Sequence, residues 1–215
     1  NKSELRVDKV DFFYPTIFKT LLKGNFYDKL IADAKADKNS YPRFNSVNKS
    51  MEIKNIAKNT DYIGGFALHG AKIIGNGSSK KKARLIFFKD DTTFLLVKAN
   101  SFFIRIGQSI IAPKAFCTFY IKKDSIMHPG ADFKINYETN IVTINRGEYG
   151  IAKTDYYNSL NEYEIDCESI EWTIGSDIID FKLLAGSGQK PVSFESIDYY
   201  KDNRFLQFQG SMPYN

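Results

Sequence analysis

The spacing of apolar positions changes character once along the chain. Ile17, Phe18, Leu21 and Leu22 follow Pro15 and stop at Gly24, and Tyr27, Leu30, Ile31 and Ala34 follow an Asn25–Asp28 pair. Proline suits the first turn of a helix, glycine its end, and an Asn with an acid three positions on resembles a cap. The spacing therefore predicts two short helices that fade near Lys38. Residues 39–59, rich in Asn, Ser and Lys and interrupted by Pro42, read as a connection with one short helix.

From Tyr62 onward the rhythm is that of strands. Gly64-Gly65 and the run Gly75 to Ser79 bracket Phe66 to Ile74, and Phe94 to Ile106 holds aromatic and branched residues over a length suited to two strands. Phe133, Ile135 and Tyr137 alternate, Glu138-Thr139-Asn140 makes a turn, and Ile141 to Ile144 returns as a hairpin partner. Arg84 to Phe88 is apolar at successive positions, which calls for cover on both faces and hence for packed layers. The expectation is a mainly β fold, either layered antiparallel sheets or an irregular β-solenoid-like stack, with a short helical N-terminal segment. Residues 1–60 form the helical segment and connection, and residues 61–215 the β-rich module.

Three segments echo one another: DSIMHPGADFKI from Asp124, ESIEWTIGSDIIDFKLL from Glu168 and ESIDYYKDNRFLQFQG from Glu195. Each carries an acid, Ser and Ile, then a phenylalanine that begins an apolar stretch. If Asp124, Glu168 and Glu195 close turns by hydrogen bonds, Ile126, Ile170 and Ile197 are the first inward residues of the strands that follow. The serines lie 44 and then 27 residues apart, which rules out a fixed-period repeat and favours irregular layering.

Length and composition agree with a folded chain. At 215 residues, 43% hydrophobic and 15% aromatic, it can bury a core and is too apolar to be disordered. Its longest apolar runs, such as Leu85 to Phe88 and Phe94 to Val97, are far short of the ~20 residues a membrane-crossing helix needs, so no direct membrane span is expected. Asn1 and Asn215 are expected to be cuts in a longer polypeptide. The net charge of +5 is unevenly placed: residues 1–110 hold 20 Lys and Arg against 10 acids, and residues 111–215 hold 10 against 15. Lys80-Lys81-Lys82 follows a run of turn formers and reads as a solvated hairpin tip, so nucleic acid is not expected as a partner.

The residue inventory argues against catalysis. His69 and His128 are the only histidines, neither belongs to a pair at metal-ligand spacing, and both read as hydrogen-bonded structural residues, with His128 in a turn before Pro129-Gly130. Cys117 and Cys167 fall in apolar strand contexts and read as buried thiols; their spacing leaves a disulfide open. Glu164, Asp166 and Glu168 alternate with Ile165 and Cys167, which is ordinary strand amphipathicity, although two carboxyls on one face could also serve a glycosidase. Gly186-Ser187-Gly188 lacks the Gly-Lys-Ser/Thr of a phosphate loop. No cofactor and no metal are expected, and the chain is read as non-enzymatic.

Exposed aromatics supply the alternative. Sugar rings stack on such faces, and Trp172, Tyr156, Tyr157, Tyr163, Tyr199 and Tyr200 are available, although these residues could equally fill the core. Adjacent tyrosines on a strand point to opposite faces, so at most one of each pair can enter a given core.

DSIMHPGADFKINYETNIVTINR, with YYNSLNEYEID, FESIDYY and FLQFQG, resembles a stretch inside large uncharacterised proteins of Bacteroidota, over roughly residues 62–210. The resemblance implies an excised module and brings no activity with it. It also implies O-glycosylation acceptors outside the cytoplasm at Asp124-Ser125-Ile126 and Asp91-Thr92-Thr93. The expectation is thus a non-catalytic structural or interaction module of a large envelope or surface protein, located outside the cytoplasm. Its partners would be other segments of the same polypeptide or a protein, with carbohydrate binding as the alternative.

Overall fold

The computed structural model describes residues 3–18, 21–30, 41–78, 80–160, 162–183 and 191–197. Among these, regular structure is antiparallel strand apart from one 3-10 turn at Gly150–Lys153.

The pairings resolve into two layers. The first sheet runs through β4 (Met51–Ala57), the first half of β5 (Thr60–His69), β7 (Ala83–Lys89), β8 (Thr92–Ala99) and the second half of β10 (Ser109–Ile121). It continues through the first half of β11 (Asp124–Asn136), β13 (Tyr156–Asn158), β14 (Tyr163–Asp166) and β17 (Ser193–Ser196). The second sheet runs through β1 (Glu4–Phe12), β2 (Leu22–Lys29), β3 (Arg43–Ser46), the second half of β5, β6 (Lys72–Asn76) and β9 (Ser101–Arg105). It continues through the first half of β10, the second half of β11, β12 (Ile141–Asn145), β15 (Ser169–Thr173) and β16 (Ile179–Lys182).

Three long strands, β5, β10 and β11, therefore belong to both sheets, and each crosses where its sequence permits a bend. In β5 the crossing lies at Gly64-Gly65. In β10 it lies at Pro113 and Lys114, the latter at a left-handed φ of 50°. In β11 it lies at His128-Pro129-Gly130. The β10–β11 register slips on both sides of the Ala115–Ala131 pair, so these two strands turn the corner together.

Residues directly opposite in an antiparallel pair share a face, so the register places the core. Tyr62, Leu85, Val97, Cys117 and His128 form one inward row of the first sheet. Ile73, Ile104, Ile110, Ile135, Val142 and Trp172 form the facing row of the second. Aromatic rings join the layers: Phe87 meets Phe133 at 5.9 Å and Trp172 at 6.1 Å, and Tyr62 meets Phe102 at 6.0 Å. Each fully buried Leu or Phe of this core contributes roughly 1.5–3 kcal/mol.

Among the described residues the expected N-terminal helices are not formed. Pro15 opens a single turn in which the Ile17 and Phe18 amides donate to the Tyr14 carbonyl at 3.1 and 2.9 Å, and Leu22–Lys29 is strand β2. Phe18 and Leu22 are four positions apart, a spacing that shares a side in a strand as well as in a helix. Burial decides between them: Phe18 meets Phe66 edge-on at 4.9 Å, a contact that β3 and β5 provide. Gly24 lies inside β2, where a Cβ would strike the buried Phe44 ring, and Asn25 caps nothing, its Oδ1 accepting from the Lys9 amide at 3.3 Å. Ile31, Ala34 and Lys38 lie outside the described residues. In the expected connection β3 and β4 stand where a short helix was anticipated, and Thr60 opens β5, which pairs with both.

The two strands expected within 94–106 and the hairpin around Glu138-Thr139-Asn140 are present, but Phe66 to Ile74 is a hairpin of β5 and β6 turning at Gly70-Ala71, with Gly64-Gly65 and Gly75 inside the strands rather than at their ends. Asp124 and Ser169 do begin strands, with Ile126 and Ile170 buried. The third echo differs, because Ser196 ends β17 and Ile197 is 51% exposed. Lys80-Lys81-Lys82 is exposed, but its loop leads from β6 in the second sheet to β7 in the first and so is not a hairpin tip.

Candidate functional site

The densest group of chemically versatile side chains sits at the β11 corner. Counting outward from the Lys122-Lys123 turn places Cys117 directly opposite His128. The His128 ring lies 4.8 Å from that of Tyr156. Cys167, between β14 and β15, is buried two positions beyond Ile165, the residue directly opposite Tyr156. This Cys–His adjacency was missed by searching for local motifs, but the hairpin turn alone would have revealed it.

The geometry of this group is that of a filled core. The Gly130 amide donates to His128 Nδ1 at 3.1 Å, and Nε2–H donates to the Thr154 carbonyl at 2.9 Å, so both ring nitrogens are occupied by backbone. His128 therefore stands at a bend within a strand, where it fastens the corner, and the turn expected there is not formed. Burial holds its pKa below the ordinary imidazole value, outweighing the Thr154 hydrogen bond. Burial likewise raises the Cys117 thiol, and pushes that of Cys167 up to about 12 despite the opposing effect of Arg146. Both cysteines are free thiols. Desolvated thiols of raised pKa beside a histidine without a free nitrogen do not form a nucleophile–base pair. His69 ends β5 opposite Arg43, and partial burial followed by the Arg43 charge lowers its pKa.

The aromatic residues divide. Trp172 is 1% exposed, packed against Phe94 at 4.8 Å and Phe119 at 6.1 Å, with its indole N–H donating to the Ser176 carbonyl at 3.0 Å. Tyr156 is also 1% exposed, and its hydroxyl donates to the Ile144 carbonyl in the other sheet at 2.7 Å. Both residues are core, which leaves a sugar no face to stack on. Tyr157 and Tyr163 are half-buried, Tyr157 on the outer face as the alternation rule requires. Tyr199, Tyr200 and Gly186-Ser187-Gly188 lie outside the described residues.

The carboxylates do not converge. Asp166 pairs with Arg146 at 2.6 Å, Arg146 also bonds Asp155, and Glu164 faces Glu195 across β14–β17. Glu168 lies beyond β14, where Cys167 separates it from the other two acids. No cluster of three His, Cys, Asp or Glu side chains able to hold a metal is present among the described residues. Of the two acceptor segments, Thr92 and Thr93 are exposed beside the β7–β8 turn, while Ser125 is half-buried in β11 and its amide bonds Ser159 Oγ at 2.8 Å.

The outer faces carry what the sequence reading did not single out. Ile86, Leu96, Thr118, Met127 and Tyr157 form a continuous row across the outside of the first sheet, ending at Glu164 and Glu195. Outside the second sheet, Ile74, Phe103 and Ile111 form a shorter row next to Lys134. Comparison with known proteins finds no matching family model, no matching curated protein and no matching solved structure. No helix among the described residues is long and apolar enough to cross a membrane.

Proposed function

We infer that the chain is a non-catalytic structural or interaction module of a large envelope or surface protein. It presents the outer face of its first sheet to other segments of the same polypeptide or to a protein partner outside the cytoplasm. The observation that carries this reading is the division of residues between inside and outside. His128, Cys117, Cys167, Tyr156 and Trp172 are engaged in the core, while Ile86, Leu96, Met127 and Tyr157 stand half-buried on the outer face of the first sheet, beside Glu164 and Glu195. Surfaces of that composition suit protein contact. The resemblance to a stretch inside large uncharacterised proteins of Bacteroidota supports reading the chain as an excised module. The carbohydrate reading loses Trp172 and Tyr156 to the core and, among the described residues, rests on Tyr157 and Tyr163.

The test is titration of the isolated module against neighbouring segments of its parent and against neutral glycans, at low and high salt. Exposed charge pairs are screened beyond ~10 Å at 0.1 M salt, so protein contact through opposite charges weakens as salt rises. Salt-resistant glycan binding that disappears on truncating Tyr157 or Tyr163 would replace this reading with the carbohydrate one.

A further inference from the structure

The outside of the second sheet holds an apolar recess whose wall also includes the core residues Ile73 and Ile104. Phe103 of β9 and Ile111 of β10 lie directly opposite each other and remain 45% and 37% exposed. With Ile106 from the β9–β10 turn they line a cavity of about 480 Å³, within the ~300–1,000 Å³ typical of ligand pockets. Two cations, Lys72 and Arg105, stand in its wall. Their nearest cross-strand neighbours are no counter-ions: His69 faces Lys72, and Ser109 faces Arg105. Among the described residues neither Lys72 nor Arg105 has a carboxylate partner.

We propose that this recess binds a small amphipathic anion. Its apolar chain lies on Phe103, Ile106 and Ile111, and its carboxylate or phosphate is held by Lys72 and Arg105. The single sign of the rim argues against a second copy, because a two-fold contact through this face would bring like charges together.

Calorimetric titration with decanoate, decyl phosphate and decanol tests the site, and circular dichroism confirms that each variant is folded. Decanoate, decyl phosphate or both should bind at one site, about tenfold more tightly than decanol, the difference shrinking at about 0.5 M salt. The stronger of the two anions identifies the headgroup. K72Q/R105Q should reduce anion affinity to that of decanol while leaving decanol unchanged, and Phe103→Ser should weaken all three by tenfold or more. Absence of anion binding, equal affinity for decanol, or insensitivity to these substitutions would overturn the proposal. So would micromolar self-association abolished by Ile111→Asp, which would assign the face to a second copy.

Discussion

Phe94 on β8 and Trp172 on β15 meet in a tilted ring contact with centroids 4.8 Å apart, although the two strands belong to different sheets. Phe87 and Phe119, also of the first sheet, meet the same indole at 6.1 Å each. One side chain thus joins three strands of one layer to the other. Trp172→Ala should cost about 3–5 kcal/mol, and Trp172→Phe clearly less, in urea unfolding followed by circular dichroism. A loss under about 1 kcal/mol in the alanine variant would contradict this role. Since Trp172 is the chain's only tryptophan, native emission should be blue-shifted and resistant to iodide quenching.

Acid should loosen the β11 corner. His128 is held neutral by burial, with its folded pKa below the ordinary 6.5, so the unfolded chain takes up the proton first as pH falls. The sign follows: stability is complete above about 6.5 and declines as pH drops from there toward the folded pKa. His69, shifted the same way, adds to the decline. Urea midpoints at descending pH should show it, and the slope between neutral and mildly acidic pH should flatten in His128→Gln, whatever that variant's absolute stability. An unchanged slope would remove His128 as its source.

Much of the β architecture was legible because strand alternation reports which side is buried. Phe133 and Ile135 are buried as their alternation implied, and Tyr156 and Tyr157 do point to opposite sides. Which tyrosine of that pair faces inward was not legible, since it depends on the partner sheet. Proline misled in a particular way: Pro129-Gly130 suggests a turn, whereas it lies at a corner within a 13-residue strand that continues in the other sheet. Phe18 and Leu22 misled because four-residue spacing fits both periods. The outer recess went unread because Phe103 and Ile111 meet only through pairing register, and nothing local marks an apolar residue as outward-facing.

Gly75 has a packing role that its place in a run of turn formers hides. It lies within β6, and a Cβ built there would sit 2.6 Å from the Tyr62 hydroxyl oxygen and 2.7–2.8 Å from its ring. Tyr62 cannot withdraw easily, being buried with its hydroxyl donating to the Gly65 carbonyl at 2.6 Å. Gly75→Ala should therefore destabilise by about 1–3 kcal/mol, although alanine suits a strand better than glycine does. Shortening the obstacle should restore part of the loss, so Gly75→Ala in a Tyr62→Phe background should cost less than in the wild type. Additive costs in that double-mutant cycle would show that the two residues do not interact.

The two thiols should be chemically silent until the chain unfolds. Cys117 and Cys167 are each under 3% exposed. With its pKa pushed up to about 12, Cys167 is a thiolate in roughly one molecule in ten thousand at pH 8, and the more deeply desolvated Cys117 should be rarer still. Attack on a soluble disulfide reagent requires both thiolate and access, so native protein should release no chromophore over hours, and urea-unfolded protein two equivalents per chain. Labelling should follow the unfolding transition measured by circular dichroism. Rapid native labelling of Cys117 alone would locate a local opening at the β10–β11 corner, where the paired strands change register. It would contradict the description of His128 as the residue that fastens that corner, because the bonds from His128 to Gly130 and Thr154 would have to break for the reagent to enter.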